Sequence, residues 1–360
     1  MHHADVCNLG AINLAEFVDE DMVLHYADPA VAELGSYAKL VVNESELRKT
    51  TAIAVRMLDN VIDSTDFPVD DVNARSRETR RIGLGIMGLA DALMKAEVPY
   101  DSEEGRKVAG RMMGIIADEA ARASEALAEE KGVFPLFSVS VFAKRFDAPR
   151  RNCALLTVAP TGTTSLVFNV SGGVEPYFAL AYGYDKNAVL DGKTELSMGL
   201  NPLLYKKLTA RFPDDVCAQV IAEVRKTGSI LRGDEAVLGQ IPMSFRRIFA
   251  TSMDISPEDH VAMQAALQKH VDNSMSKTIN LPNDATVDDV LRTYTTAWRN
   301  GCKGCTVYRD GSRTLQVLVA GEGAESEDEA VSPEHSDEAE GGACKRVVMA
   351  NGTVVMSCSE

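Results

Sequence analysis

The chain has 360 residues, 45% of them hydrophobic, and a formal net charge of −16. This size and composition suffice for one large or two ordinary globular domains, whereas the acidic balance argues against a nucleic-acid-binding surface, which needs a clustered basic face. Because no apolar run approaches the roughly 20 residues that span a bilayer, and the N-terminus lacks a signal-peptide pattern, we expect a cytoplasmic protein without a membrane partner.

A glycine pattern of the GxGxxG type occurs at Gly83, Gly85 and Gly88. Arg80 and Arg81 precede it, where a dinucleotide-binding fold would need a buried strand. We therefore interpret the glycines as positions that allow close helix packing and do not assign them to a nucleotide.

Three amphipathic helices are predicted, over residues 102–129, 256–271 and 286–298. The first has Asp101 or Ser102 as its cap and ends before Gly132. The second carries Pro257 in its first turn. Helices of this length between apolar runs favour an α/β body over residues 1–320.

The stretch from Asn152 to Ser165 is the most informative part of the chain. Its apolar run, Cys153–Val158, has the length of a strand buried on both faces, and the chain must then turn at Pro160. Hydroxyl side chains follow beside the free N–H groups of a new helix, whose positive dipole end favours an anion. The pattern therefore predicts a phosphate-binding turn, with an ordinary helix N-cap as the alternative. The residues of the turn are Pro160, Thr161, Gly162, Thr163, Thr164 and Ser165.

Seven cysteines at irregular spacing do not form the disulfide framework of a small secreted protein. One C-x-x-C, Cys302 and Cys305, lacks a second pair at zinc spacing. We interpret these two as packing residues, with a redox or metal-binding role as the alternative, and predict no metal site.

The composition changes abruptly after residue 320. Residues 322–340 contain nine acidic residues and no Lys or Arg, so residues 321–342 are predicted to be a flexible acidic linker. Residues 343–360 form a third segment, in which Asn351 and Gly352 separate two β-prone runs. This pattern predicts a β-hairpin with a type I′ turn.

The predicted hairpin carries two cysteines, Cys344 and Cys358. If Ala350 pairs with Thr353, Lys345 lies opposite Cys358, so the two thiols are one register step apart and point to opposite faces. A mobile tether with two thiols suits thiol–disulfide exchange, which requires direct sulfur contact. The alternative is a disordered tail with incidental cysteines.

Four separated groups of residues resemble the large catalytic chain of adenosylcobalamin-dependent, class II ribonucleotide reductase. Their order and spacing match that family across roughly residues 5 to 313. They are Cys7–Leu14, Arg81–Asp91, Ala159–Ser165 with Gly173–Pro176, and Lys277–Asn283 with Gly301–Arg313.

The resemblance implies a fold and a set of roles. The fold would be the second half of a ten-stranded α/β barrel. Cys7 would be one of two active-site cysteines that become a disulfide as the ribose 2′-hydroxyl leaves as water, and residues 160–165 would hold the phosphates of a ribonucleoside diphosphate. Cys344 and Cys358 would re-reduce the active site and be reset by thioredoxin or glutaredoxin, although thirteen residues separate them here. Glu175 would line the barrel mouth or be an ordinary buried carboxylate.

The front of the chain departs from the family pattern. In the family an Asn-x-Cys-x-Glu segment upstream of the position of Cys7 supplies the thiyl radical and a glutamate, and residues 1–6 contain neither. A half-barrel would also leave sheet edges and an apolar face uncovered. We therefore expect a gene fragment or a split enzyme that is inactive alone and needs an N-terminal half as its partner.

The leading hypothesis is the C-terminal part of a ribonucleoside-diphosphate reductase, which makes deoxyribonucleotides by radical chemistry with adenosylcobalamin and a cysteine-pair reductant. One alternative is a fragment of the iron-dependent class I large subunit. Another is a remnant of the barrel that binds or assembles without catalysing.

Overall fold

A computed structural model describes residues 4–21, 23, 41–146, 148–185, 196–312, 319–320, 344–348 and 354–358. Contacts divide the chain into residues 1–324 and 325–360. The strands are β1 (Asn8–Asn13), β2 (Ile82–Met87), β3 (Ala181–Asp185), β4 (Leu196–Leu200), β5 (Thr278–Leu281), β6 (Thr306–Arg309), β7 (Val319–Ala320), β8 (Cys344–Val348) and β9 (Val354–Cys358). The α-helices are α1 (Glu44–Ser64), α2 (Asp70–Thr79), α3 (Leu89–Lys95), α4 (Glu103–Lys131), α5 (Gly162–Phe168), α6 (Pro202–Thr209), α7 (Asp214–Thr227), α8 (Glu235–Leu238), α9 (Met243–Arg246), α10 (Pro257–Gln268) and α11 (Val287–Arg299).

The centre of the larger unit is a series of parallel strand segments. β1 pairs with β2, and Leu84 of β2 bridges in parallel to Leu156. Val158 then bridges to Met275, and β5 pairs in parallel with β6. Five segments therefore follow one another with the same direction, as half of a ten-stranded α/β barrel requires.

Strand β2 corrects the prediction for the glycine pattern. All six of its residues are buried, and Gly83 and Gly85 lie inside the strand instead of at a helix contact. A Cβ on Gly85 would come within 2.4 Å of the Thr157 carbonyl oxygen, and one on Gly83 within 2.7 Å of a Leu9 methyl group. Glycine is needed here because the neighbouring segment and side chain approach the strand closely, so the helix-packing interpretation is wrong.

The helices that cover these strands confirm the three predicted ones with small shifts of their ends. α4 begins after Ser102, whose hydroxyl accepts a hydrogen bond from the Gly105 amide at 2.9 Å, and ends before Gly132. α10 has Pro257 in its first turn, and Thr286 forms a capping box at the start of α11. α4 packs against α1 and α10, and α11 packs against α10. No helix among the described residues combines the length and apolar character needed to cross a membrane.

A second buried cluster lies in the same unit, around Leu204, Val224 and Phe249. It joins helices α6 and α7 to the segment that contains α9. Beside it, β3 pairs antiparallel with β4 and with β7. Along the chain, this second cluster and its strands come after α5.

In the unit of residues 325–360, β8 and β9 form the predicted antiparallel pair. The predicted register is wrong: Cys344 lies directly opposite Cys358, and Lys345 opposite Ser357. Val348 pairs with Val354, whereas the predicted register would have placed it opposite Val355. Directly opposed antiparallel residues have a Cα separation within the range of disulfides. The predicted linker (321–342) and the Asn351-Gly352 turn lie outside the described residues.

Candidate active site

The predicted turn after the third strand segment begins a helix, as the sequence indicates. Thr161 has a left-handed backbone with φ of +52°, and α5 starts at the next residue. The Thr161 hydroxyl oxygen accepts a hydrogen bond from the Gly173 amide at 2.8 Å, while the Ser165 hydroxyl donates to the Gly162 carbonyl at 3.1 Å. Two of the predicted hydroxyls thus hold the turn together, and the first-turn amides of α5 remain as donors without a partner inside the helix.

The turn opens on a cavity of about 540 Å³. Pro160, Gly162, Thr163 and Ser165 line it, whereas Thr161 and Thr164 do not. This volume falls within the usual range of small-molecule sites. Further lining residues are Leu166, Pro176, Tyr177, Ser252, Thr278 and Asn280.

Glu175 is the one charged residue among the described lining residues. Its carboxylate accepts hydrogen bonds from the Lys277 ammonium at 2.5 Å and from the Thr278 amide at 2.6 Å. Lys277 is fully buried. Burial lowers its pKa, and the charge of Glu175 opposes that shift. The pair therefore ties the start of β5 to the segment before β3, and Glu175 is both a lining residue and a paired carboxylate.

Lys277 lies in one of the motifs that resemble the family, but the sequence alone does not indicate its role. The feature that could have predicted its role is its position immediately before the alternating run of β5. An ammonium at such a position must find a partner when the strand is buried.

His260 contacts the backbone of a lining residue, and Tyr100 contacts the backbone of the residue that precedes Glu175. The His260 Nε2 lies 2.9 Å from the Ser252 carbonyl, and the Tyr100 hydroxyl donates to the Val174 carbonyl at 2.6 Å. Burial, followed by the charge of Lys277, lowers the pKa of His260 to about 3. The imidazole is therefore neutral near pH 7, and its Nε2–H donates to Ser252.

Cys7 immediately precedes β1 and is half-buried. Burial raises the pKa of its thiol, while Arg81 lowers it and Asp5 raises it; Arg81 itself donates to Asp5 at 3.0 Å. The thiol is therefore protonated at neutral pH. Cys7 is not among the residues that line the cavity, because it lies at the amino end of its strand and the turn follows the carboxyl end of another.

Cys153 is a second thiol that sequence reasoning did not single out. The same two groups, Arg81 and Asp5, act on it, and burial raises its pKa. It lies three positions before Leu156, the first bridged residue of the third segment, and Cys7 likewise lies just before β1. This similar position relative to a strand is the feature of the sequence that could have drawn attention to Cys153.

The C-x-x-C thiols are half-buried. Cys302 and Cys305 pack against the apolar cluster that contains Ile279 and Ala297. Burial, with a further contribution from Cys305, raises the pKa of Cys302 to about 11, and burial also raises that of Cys305. Within the described part of the chain, no three His, Cys, Asp or Glu side chains gather in a way that could bind a metal ion.

Comparison with known proteins places this arrangement in a family. The model of the "ribonucleotide reductase, barrel domain" family matches residues 2–308. A vitamin B12-dependent ribonucleoside-diphosphate reductase of Thermoplasma acidophilum is 40% identical over 88% of this chain and 37% of its own length. One of the same name from Mycobacterium tuberculosis (strain CDC 1551) is 41% identical over 87% of this chain and 40% of its own.

A solved structure has a similar fold. The class Id ribonucleotide reductase α subunit of Actinobacillus ureae matches with a TM-score of 0.61 and 21% identity, over 85% of this chain and 50% of the other. The predicted α/β barrel fold is thereby confirmed. The chain spans about two fifths of the length of the two B12-dependent relatives. This protein belongs to the ribonucleotide reductase barrel-domain family.

Proposed function

We propose that this chain is the C-terminal part of a ribonucleoside-diphosphate reductase, which converts ribonucleoside diphosphates to deoxyribonucleotides. Membership of the family and the names of its relatives support the proposal. The observation that carries it is the turn at residues 160–165, which resembles the family's phosphate loop and opens on a cavity of about 540 Å³. The seven cysteines of the chain suit a reducing, cytoplasmic compartment.

The substrate diphosphate would be held by backbone donors. No Lys or Arg is among the described residues that line the cavity, so the charge would be balanced by the amides and dipole at the start of α5. Glu175 is already paired with Lys277, which limits its repulsion of the phosphates. The apolar wall, including Leu166 and Tyr177, would take the nucleoside.

Cys7 would supply half of the reducing equivalents from the amino ends of the strands, so the substrate would lie across the strands, with its phosphates at the turn and its ribose directed toward Cys7. Two thiols together lose two electrons and two protons and form a disulfide, while the ribose C2′–O bond breaks, the 2′-hydroxyl leaves as water, and a hydrogen takes its place on C2′. The raised pKa of Cys7 keeps it a thiol, which is the form that carries the hydrogen. The second thiol and the radical cysteine would come from the N-terminal half, and Cys344 with Cys358 would reduce the disulfide before thioredoxin or glutaredoxin resets them.

Adenosylcobalamin would supply the radical that starts the reaction, as the names of the B12-dependent relatives suggest. The cavity of about 540 Å³ is the size of a nucleotide site. We assign no residue of this chain to the cofactor.

The experiment combines this chain with the part of the Thermoplasma acidophilum relative that precedes the matched region. We expect adenosylcobalamin-dependent formation of deoxyribonucleoside diphosphate, which neither part shows alone. Cys7→Ser should allow at most one turnover per enzyme with thioredoxin as reductant, and the matched variant Cys153→Ser should turn over repeatedly. Repeated turnover by Cys7→Ser would contradict the role of Cys7, and absence of product in every mixture would contradict the proposed function.

A further inference from the structure

Helix α11 carries a row of large apolar side chains that are exposed to solvent. Their spacing of four, three and four residues places them on one stripe of the helix. Nothing in the described part of the larger unit covers them. The stripe consists of Val287, Leu291, Tyr294 and Trp298, which are 84%, 63%, 46% and 76% exposed.

The stripe lies on the side of α11 that faces away from its neighbour α10. Arg292 pairs with Glu258 of α10 at 3.3 Å and lies roughly 130° around the helix from the centre of the stripe, at about 100° per residue. Thr293 and Ala297 are buried and mark the face toward the strands. The stripe is therefore directed sideways, along the helix layer and not straight into solvent.

The position of α11 in the layer explains why its side is bare. Within the described residues, β6 has a strand partner on one side only, namely β5. The inner helices α4 and α10 carry none of the exposed large apolar residues among the described side chains. The helix at the opposite edge, α1, carries two, Ile53 and Met57. Apart from residues 166–168 of α5 beside the cavity, the helices with more than one exposed large apolar residue among the described side chains are thus the two at the edges of the series.

We propose that the α11 stripe is a docking surface for a helix of the N-terminal half of the reductase, with Tyr294 and Trp298 as its anchors. This inference rests on the proposed function and adds the location of the contact. In the two B12-dependent relatives about three fifths of the chain lies outside the match, so one such segment accompanies every copy of this barrel half. That stoichiometry favours the N-terminal half over a second copy of this chain as the occupant. Large aromatic side chains that become buried at an interface commonly dominate its affinity.

Trp298 makes the proposal directly measurable because it is the single tryptophan of the chain. We would titrate the full chain with the N-terminal part of the Thermoplasma acidophilum relative, carrying Phe at its own tryptophan positions, and record the emission maximum and acrylamide quenching. The expected result is a blue shift and at least threefold weaker quenching at saturation. Sedimentation velocity on the same samples reports complex formation independently.

A matched pair of variants locates the contact. Tyr294→Asp should weaken the complex at least tenfold, whereas Tyr205→Asp, at a 54% exposed helical tyrosine on α6, should leave it unchanged. A complex that forms by sedimentation without a change in Trp298 emission, and with equal affinity in both variants, would overturn the docking surface and leave the proposed function intact. Emission that shifts with the concentration of this chain alone would show that a second copy is the occupant and would overturn the proposal. Failure to form any complex would contradict both.

Discussion

The two ends of the parallel strands use polar groups in opposite ways. At the amino ends, buried charges are paired within the protein: the Arg80 guanidinium donates to Asp59 at 2.9 Å, and Arg81 to Asp5 at 3.0 Å. At the carboxyl end of the third segment, the first turn of α5 borders a cavity whose described lining contains one charged residue, Glu175. Groups with partners stabilise the fold, and groups without partners are available to a ligand, which in α/β proteins binds at the carboxyl ends.

Removal of Asp59 should have the largest effect. Its carboxylate is fully buried and also accepts from Asn152 at 2.9 Å, so Asp59→Ala leaves a buried guanidinium and amide short of an acceptor. We expect a loss of about 3–5 kcal/mol in the free energy of unfolding, measured by urea denaturation. Nucleotide affinity of the folded fraction should not change.

Asp63 provides the control for this variant. It binds the same guanidinium at 2.7 Å, but its side chain is 51% exposed, so Asp63→Ala should cost about 1 kcal/mol or less. Equal losses in the two variants would show that burial does not make the ion pair between Asp59 and Arg80 more stabilising than the one between Asp63 and Arg80.

Sequence reasoning was most reliable where a local signal determines the structure. The helix starts at Ser102, Pro257 and Thr286 follow from capping chemistry, which involves a few neighbouring residues. The turn at Pro160 and Gly162 was found for the same reason. Ordered motifs then identified the barrel, which no single segment could have done.

Sequence reasoning failed where distant segments determine the structure. Gly85 is required by the Thr157 carbonyl, a contact across 72 positions that periodicity does not encode. The partnership of Glu175 with Lys277 spans 102 positions and is likewise invisible locally. The hairpin register failed because the Asn-Gly signal predicts a turn type, while the number of residues left unpaired decides which residues face each other.

The pH dependence of stability should report on His260, which supports the cavity wall. Its folded-state pKa, about 3, lies below the ordinary 6.5, so the unfolded chain takes up a proton first as the pH falls. The stability that comes from the neutral imidazole is complete above pH 6.5 and is lost as the pH falls toward 3. At pH 5 the loss is about 2 kcal/mol.

Urea denaturation at pH 7.5 and pH 5 tests this expectation. The unprotonatable variant His260→Gln should lose about 2 kcal/mol less than the natural chain over the same interval. If both lose the same amount, His260 is not held neutral by its surroundings, and the cavity wall tolerates a charge that the structure says it excludes.

At the cavity end, a new charge should affect binding more than folding. Thr163 lies in the first turn of α5 and lines the cavity. A negative charge about 5 Å from a phosphate repels it by about 1.7 kcal/mol at an effective dielectric constant of about 40. Thr163→Asp should therefore weaken nucleoside-diphosphate binding at least about tenfold, measured by equilibrium dialysis with the reconstituted protein.

The variant Thr163→Asn separates charge from shape, because Asn has nearly the shape of Asp but carries no charge. It should bind the nucleotide within about threefold of the natural chain, since one charge corresponds to at least a tenfold change. The unfolding free energy of Thr163→Asp should stay equal or rise by about 0.3–1 kcal/mol, because an acidic residue is favourable at a helix start. Loss of stability together with loss of binding would mean that the turn is structural, like the charges at the amino ends.

The smallest effect should be found at Cys302, which tests whether thiols away from the cavity are chemically inert. Its pKa of about 11, against an ordinary 9.0, reduces the thiolate fraction at pH 8 roughly tenfold to a hundredfold, and the thiolate is the form that reacts. Alkylation by iodoacetamide, followed residue by residue with mass spectrometry, should be slower by that factor than in the urea-unfolded chain.

Cys302→Ser should leave both nucleotide affinity and turnover of the reconstituted enzyme unchanged, because this thiol packs against Ile279 and Ala297. Rapid alkylation in the folded state, or loss of turnover in the variant, would favour a redox role for the C-x-x-C and would place reactive chemistry outside the cavity as well.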